Sequence, residues 1–162
     1  MSTNRIRVGV IYGGRSSEHR VSVNSAKALL ESMKDRYETV PIGIDQDGGW
    51  HVGAEPARMI EAGGEVKALP AATGSTALEP KPKFLAERFT CTNGRGRVDV
   101  MFPLVHGTFG EDGTLQGLLE MAGIPYVGAG VLGSAIGMDK WTQKLTLQAA
   151  GIPVVEFVGF RA

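Results

Sequence analysis

Four short stretches concentrate the side chains that could do chemistry. In GGRSSEH, Gly13 to His19, a lone carboxylate, Glu18, follows two glycines at the start of an amphipathic stretch. Backbone N–H groups at a helix start attract negative charge, so Glu18 serves either as a first-turn acid or as a carboxylate holding a ligand's ammonium at a strand end. In HGTFGEDG, His106 to Gly113, a histidine, two acids and three glycines follow an apolar run. A metal site from His106, Glu111 and Asp112 would need a further ligand at fixed spacing, and the sequence offers none. Glu111 and Asp112 are more simply acids at the start of the next helix. His106 is then a polar group facing the same crevice as Glu18, because strand-end loops of one parallel sheet converge on one ligand. GAGVLG, Gly128 to Gly133, has the form of the dinucleotide fingerprint G-x-G-x-x-G, which would mean a nicotinamide cofactor. The strand before it is short and no strand-ending acid follows at the required distance, so close backbone packing explains it better. In MDKWTQK, Met138 to Lys144, Lys140 and Lys144 share a helix face, and Trp141 beside them suits a domain junction.

These loops need elements to hold them. Ile6 to Tyr12 reads as a buried strand, closed by Gly13 and Gly14. From Ser22 the period changes, and Ala26, Leu29, Leu30 and Met33 fall on one face of a helix expected to end near Arg36. Tyr37 to Asp45 is a second strand, and strand–helix–strand is the unit of a parallel sheet. Asp47, Gly48 and Gly49 mark a turn, with Trp50 to Val52 returning. No period survives between Gly63 and Pro82, which is expected to be an irregular excursion, and Phe84 to Thr92 is expected to hold a short strand. Val98 to Val105 is the next strong strand. Leu115, Leu118, Leu119 and Ala122 make a helix that Gly123 can close. Ile124 to Val127 reads as a short strand and Val131 to Met138 as a small helix. Asp139 suits the N-cap of a last helix to Ala149, followed by Gly151 and an extended segment, Val154 to Phe160. The alternation predicts an α/β fold with a doubly wound, mainly parallel sheet and ligand-facing loops at the strand ends.

Composition narrows the function classes. Lys plus Arg and Asp plus Glu balance at 17 each, so the basic face that a nucleic-acid partner demands is not expected. Cys91 is the only cysteine, which excludes an intramolecular disulfide and a thiolate cluster and suits a reducing, cytoplasmic compartment. No apolar run approaches the roughly 20 residues that span a bilayer, and Val8 to Tyr12 is too short for a signal-peptide core. No membrane partner is expected.

Taken together, GGRSSEHRVS (13–22), FPLVHGTFGEDGTLQGLLEMAGIPYVGAGVLGSAIGMDK (102–140) and GIPVVEF (151–157) resemble the D-alanine–D-alanine ligase family of the ATP-grasp superfamily. The likeness spans most of the chain, is weakest over 46–97, and is closer to the longer-insert branch. It implies a Rossmann-like (pre-ATP-grasp) domain over residues 1–136 and the truncated beginning of an ATP-grasp central domain over 137–162. It also implies a reaction. ATP phosphorylates the carboxylate of a first D-alanine, and the amine of a second attacks the acyl phosphate, in cytoplasmic peptidoglycan precursor synthesis. By the same resemblance Glu18 holds the first D-alanine's ammonium and His106 lines its site, the two catalytic positions of this chain. Val21 contacts the substrate methyl, Ser22 supports that loop, and Lys140 reaches nucleotide phosphate. ATP and magnesium are the implied cofactors, with the magnesium ligands outside these residues, and a homodimer is the implied assembly. The choice of second substrate among D-alanine, D-lactate and D-serine is expected to lie outside them too, and the chain alone is expected to be inactive. One departure stands out: Arg20 occupies a position where family members often carry an acid. The alternative reading is a stand-alone Rossmann-like module for small-molecule binding or oligomerisation.

Overall fold

The first strand, β1 (Arg7–Gly13), carries apolar side chains on both faces, and such a strand must be covered twice. Val8, Val10 and Tyr12 pack on one side with Val23 and Ala26 of α1 (His19–Met33). Ile11 enters a separate cluster with Leu115 and Leu119, which lie on a later helix (Thr114–Met121). The strand is flanked by β2 (Glu38–Ile44) and, on its other side, by β4 (Val100–Pro103), both parallel to it. The short β3 (Trp50–Val52) pairs antiparallel with β2, giving the order β3-β2-β1-β4. The expected α/β fold with a doubly wound, mainly parallel sheet is therefore the observed one. The computed structural model describes residues 5–52, 55–63 and 98–160. The irregular excursion read from Gly63 to Pro82 falls, after Gly63, outside the described residues, as does the strand read at Phe84 to Thr92.

Several boundaries differ from the sequence reading, each for a local reason. Helix α1 begins at His19 rather than Ser22, because its buried face starts with two polar residues, His19 and Ser22, before Val23 and Ala26. Hydrophobic periodicity cannot see such a turn. The expected strand Val98–Val105 shortens to Val100–Pro103: Leu104 still donates its N–H to the Ile11 carbonyl, but its own carbonyl turns to the Ser22 hydroxyl. The expected strand Ile124–Val127 reduces to one parallel bridge between Met101 and Tyr126, bounded by Pro125 and by Gly128 at φ 121°. A helix not read from the sequence, α2 (Glu55–Glu61), has Pro56 in its first turn, a helix-start signal. Its Pro56 carbonyl accepts the buried Tyr12 hydroxyl at 2.5 Å, and burial pushes that phenol's pKa up.

The later elements follow the expected pattern. Helix α3, Thr114–Met121, closes at Gly123, whose N–H returns to the Glu120 carbonyl. Helices α4 (Val131–Met138) and α5 (Lys140–Ala149) follow, and Asp139 caps α5 by accepting the Thr142 N–H at 2.7 Å. No residue of α5 is buried, and among the named elements it packs only against α4. Trp141 and Leu145 are exposed, and Trp141 meets Phe157 edge to face, with ring centroids 5.2 Å apart. The segment Val154–Phe160, read as extended, forms no strand. Among the described residues no helix is long and apolar enough to cross a membrane.

The β2–β3 hairpin is locked by a buried aspartate. One Asp45 oxygen accepts the N–H groups of Asp47 and Gly49, and the other meets His51 Nε2 at 2.7 Å. Burial alone would raise the Asp45 pKa, but the His51 ring and the two N–H groups outweigh it and hold the carboxyl below its ordinary range. A carboxylate depressed in the fold stabilises above its unfolded pKa of about 3.9, and that contribution drains away as pH falls through the folded value. Asp45→Asn keeps the acceptor for both N–H groups and loses the charged partner of His51. The expected cost near neutrality is about 1–3 kcal/mol in urea unfolding. The variant's stability should also fall less steeply than the wild type's below about pH 4. Parallel acid limbs in the two proteins would show that Asp45 does not carry this linkage.

Candidate functional site

The C-terminal ends of β1 and β4 lie side by side, and the loops leaving them meet. Gly13 and Gly14 turn the chain out of β1 with φ of 92° and 100°. A Cβ on Gly13 would lie 2.1 Å from the Ile44 carbonyl oxygen, so no other residue fits the approach to β2. Two buried polar residues of α1 hold this turn. Ser22 Oγ accepts the Gly13 N–H at 2.7 Å and donates to the Leu104 carbonyl at the end of β4. His19 Nδ1 pairs with the Gly14 carbonyl at 2.8 Å. That carbonyl can only accept, so Nδ1 carries the proton.

The second loop, from His106 to Gly113, is organised by its own acids. Glu111 accepts the Gly107 N–H at 2.7 Å. Asp112 accepts the Phe109 N–H at 2.9 Å and the Thr114 N–H at 3.0 Å, where α3 begins. Burial would raise the Asp112 pKa, but these N–H groups and the Thr114 hydroxyl outweigh it and hold the carboxyl down. Gln116 adds a bond from its Nε2 to the Gly110 carbonyl. Phe109 sits at φ 66°, in the left-handed region that non-glycine residues rarely adopt, with the Arg15 guanidinium 5.9 Å from its ring centre. Among the described residues no group of three or more His, Cys, Asp or Glu could hold a metal ion. Glu111 and Asp112 are occupied with backbone.

The two loops touch at Glu18 and His106. Ser16 Oγ donates to the His106 carbonyl at 2.6 Å. A Cβ on Gly107 would lie 3.0 Å from Glu18 Oε2, so the carboxylate rests against that glycine. Glu18 is exposed, and among the described residues its carboxylate makes no hydrogen bond or ion pair. It caps nothing at the helix start. An unspent carboxylate resting on the residue after His106 can hold a cationic group, while the His106 ring lines the neighbouring cavity. His106 Nε2 is itself buried without a partner.

Of the other residues singled out in the sequence, Val21 is exposed on α1 at 52%. Ser22 is fully buried, so it acts on the loop through backbone rather than by touching a ligand. Lys140 helps line a cavity of about 420 Å³ that also contains His106, Glu111, Gln116 and Ser134. Its ammonium donates to the Gly137 carbonyl. Arg20 is exposed. The GAGVLG segment leads into α4 with only a single bridge before it, not the strand that a dinucleotide unit requires. His19, Ser16 and Gln116 were not singled out by the sequence reading. Nothing in a sequence tells which of two adjacent serines will reach a carbonyl 90 residues away.

Comparison with known proteins gives these features a family. The family described as D-ala D-ala ligase N-terminus matches residues 7–129. A D-alanine–D-alanine ligase of Mycolicibacterium vanbaalenii is 47% identical, across 98% of this chain and 45% of the relative. That of Nocardia farcinica is 50% identical, across 94% of this chain and 43% of the relative. The chain thus spans under half the length of these curated relatives. Among solved structures, the VanG D-Ala:D-Ser ligase from Enterococcus faecalis superposes with a TM-score of 0.72 at 34% identity, covering 94% of this chain and 44% of that one. The D-alanine-D-alanine ligase from Coxiella burnetii gives 0.69 at 33% identity, covering 95% and 44%. With its β1 and β4 loops, its sheet order and this match over most of its length, the chain belongs to the D-alanine–D-alanine ligase N-terminal family.

Proposed function

We propose that this chain forms the first-substrate half of an ATP-dependent ligase that joins D-alanine to a second D-amino acid or D-hydroxy acid in cytoplasmic cell-wall precursor synthesis. The observation that carries the reading is Glu18, an exposed carboxylate with no protein partner of its own among the described residues, resting against Gly107 beside His106. In this reading Glu18 takes the ammonium of the first D-alanine and Val21 faces its methyl group. His106 lines the site on the side where the substrate carboxylate reacts. Gripping the far end of the substrate aligns that carboxylate as nucleophile. Ser22 holds both strand ends in place. Lys140, on the wall of the His106 cavity, suits the phosphate of a nucleotide. ATP, when bound, supplies the phosphoryl group that activates the carboxylate.

Magnesium fits less well. The described residues offer no carboxylate cluster for it. The proposal keeps the domain boundary between residues 136 and 137, within the last turn of α4, and its support is that α5, just beyond, buries no residue. A homodimer is also proposed, its support being the exposed Met121 and Leu132, which self-association would cover.

Two outcomes are expected. Glu18→Gln keeps the shape and removes the charge. In the full-length product of the gene it should raise KM for the first D-alanine roughly 10- to 100-fold, the size of a hydrogen bond to a charged group, with KM for ATP nearly unchanged. Unaltered D-alanine kinetics with a lowered melting temperature would leave Glu18 a helix-terminal acid. The 162-residue chain alone should release no phosphate from ATP with D-alanine, because the one cation it is proposed to aim at the nucleotide is Lys140. Robust D-alanine-dependent phosphate release by the purified chain would refute this.

A further inference from the structure

The geometry points to Ser16 as a positioning residue that sets the distance between Glu18 and His106, an inference that rests on the ligase reading of the site. Its hydroxyl joins the two loops directly. The proton goes to the His106 carbonyl at 2.6 Å, and the oxygen accepts the Glu18 N–H at 3.2 Å. Neither bond can run the other way, since a carbonyl only accepts and an amide N–H only donates. One half-buried oxygen therefore touches the backbone of both candidate catalytic residues.

Glu18 depends on this contact more than most side chains would. Its carboxylate has no hydrogen bond within the described residues, so its place is set by its backbone and by packing. The packing surface is Gly107, the residue after His106. A Cβ there would lie 3.0 Å from Glu18 Oε2 and 3.2 Å from Ser16 Cβ. Gly107 also has φ 75°, which favours glycine. Any side chain at 107 would thus crowd Glu18 and Ser16, and the Ser16 hydroxyl hydrogen-bonds the two loops together at Glu18. Gly107's own N–H is taken by Glu111, so the Gly107 side of the contact is held from behind. Without the hydroxyl, the Glu18 loop can lift from the His106 loop, and a ligand gripped at both would be held less well.

The test is a double-mutant cycle in the full-length product of the gene, using Ser16→Ala, Glu18→Gln and the pair. Ser16→Ala is expected to raise KM for the first D-alanine about 3- to 10-fold, the effect of one lost hydrogen bond, with KM for ATP unchanged. Because Ser16 acts through Glu18, it should add little once Glu18 is glutamine. Ser16→Thr, which keeps the hydroxyl, should restore most of the affinity. If Ser16→Ala does not fold, Ser16→Cys, with the same shape and a weaker donor, goes through the same cycle. Additive costs, an equal rise in KM for ATP, or a loss confined to the melting temperature would reduce Ser16 to a loop stabiliser and overturn the inference. Wild-type kinetics in Ser16→Ala beside a damaged Glu18→Gln overturns it alone. Wild-type kinetics in Glu18→Gln overturns the ligase reading of the site and this inference with it.

Discussion

The end of a central parallel strand poses a problem that the rest of this molecule is arranged around. Its last N–H and carbonyl groups leave the ladder just where the chain must turn, and buried polar groups without partners are costly. Here the Ser22 hydroxyl answers for β1 and β4 together, accepting from Gly13 and donating to Leu104. It comes from α1, so one interaction fixes the helix against two adjacent strand ends. The turn at Gly13 and Gly14 can then bring the following loop over β4.

From that point the architecture is a chain of backbone satisfactions rather than of apolar contacts. His19 takes the Gly14 carbonyl, Ser16 takes the His106 carbonyl, and Glu111 and Asp112 take N–H groups of the second loop. Glu111 and Asp112, read from the sequence as acids at the start of the next helix, are spent on holding backbone. Glu18, whose carboxylate holds no backbone among the described residues, is the acid proposed to take a ligand. Burden and availability separate the two kinds of carboxylate more clearly than residue type does. The same separation explains why the HGTFGEDG loop is rich in charge without being a metal site among the described residues.

Much of the frame is legible in the sequence, because apolar runs and their periods are physical requirements of burial. β1, β3, the leucines of α3, the span of α4 and the Asp139 cap of α5 all follow from it. What escapes is polar structure inside the frame. His19 and Ser22 extend the buried face of α1 with side chains that hydropathy counts as surface. β4 ends at Pro103, where the Leu104 carbonyl turns to the Ser22 hydroxyl, although the apolar run continues to Val105. The short α2 carries a proline signal but too few residues for a period. The closeness of Gly13 and His106 could be expected from adjacent parallel strands. The atom that joins their loops could not, because a hydroxyl's partner is decided in three dimensions.

Helix α5 has ten residues, none buried, and one neighbouring helix. Isolated helices shorter than about 12–15 residues are marginal in water, so its backbone bonds draw little support from tertiary packing. In the 162-residue chain taken alone, its amides are expected to exchange with solvent more readily than those of β1, which lies between two strands under cover on both faces. Lys140 is the first residue of that helix. The cation on the cavity wall thus sits on a helix that this chain leaves largely uncovered, and Glu18 and His106 sit on loops leaving the sheet. A ligand that touched all three in this chain would therefore meet its ordering cost chiefly at α5, and little of it at the strand-end loops.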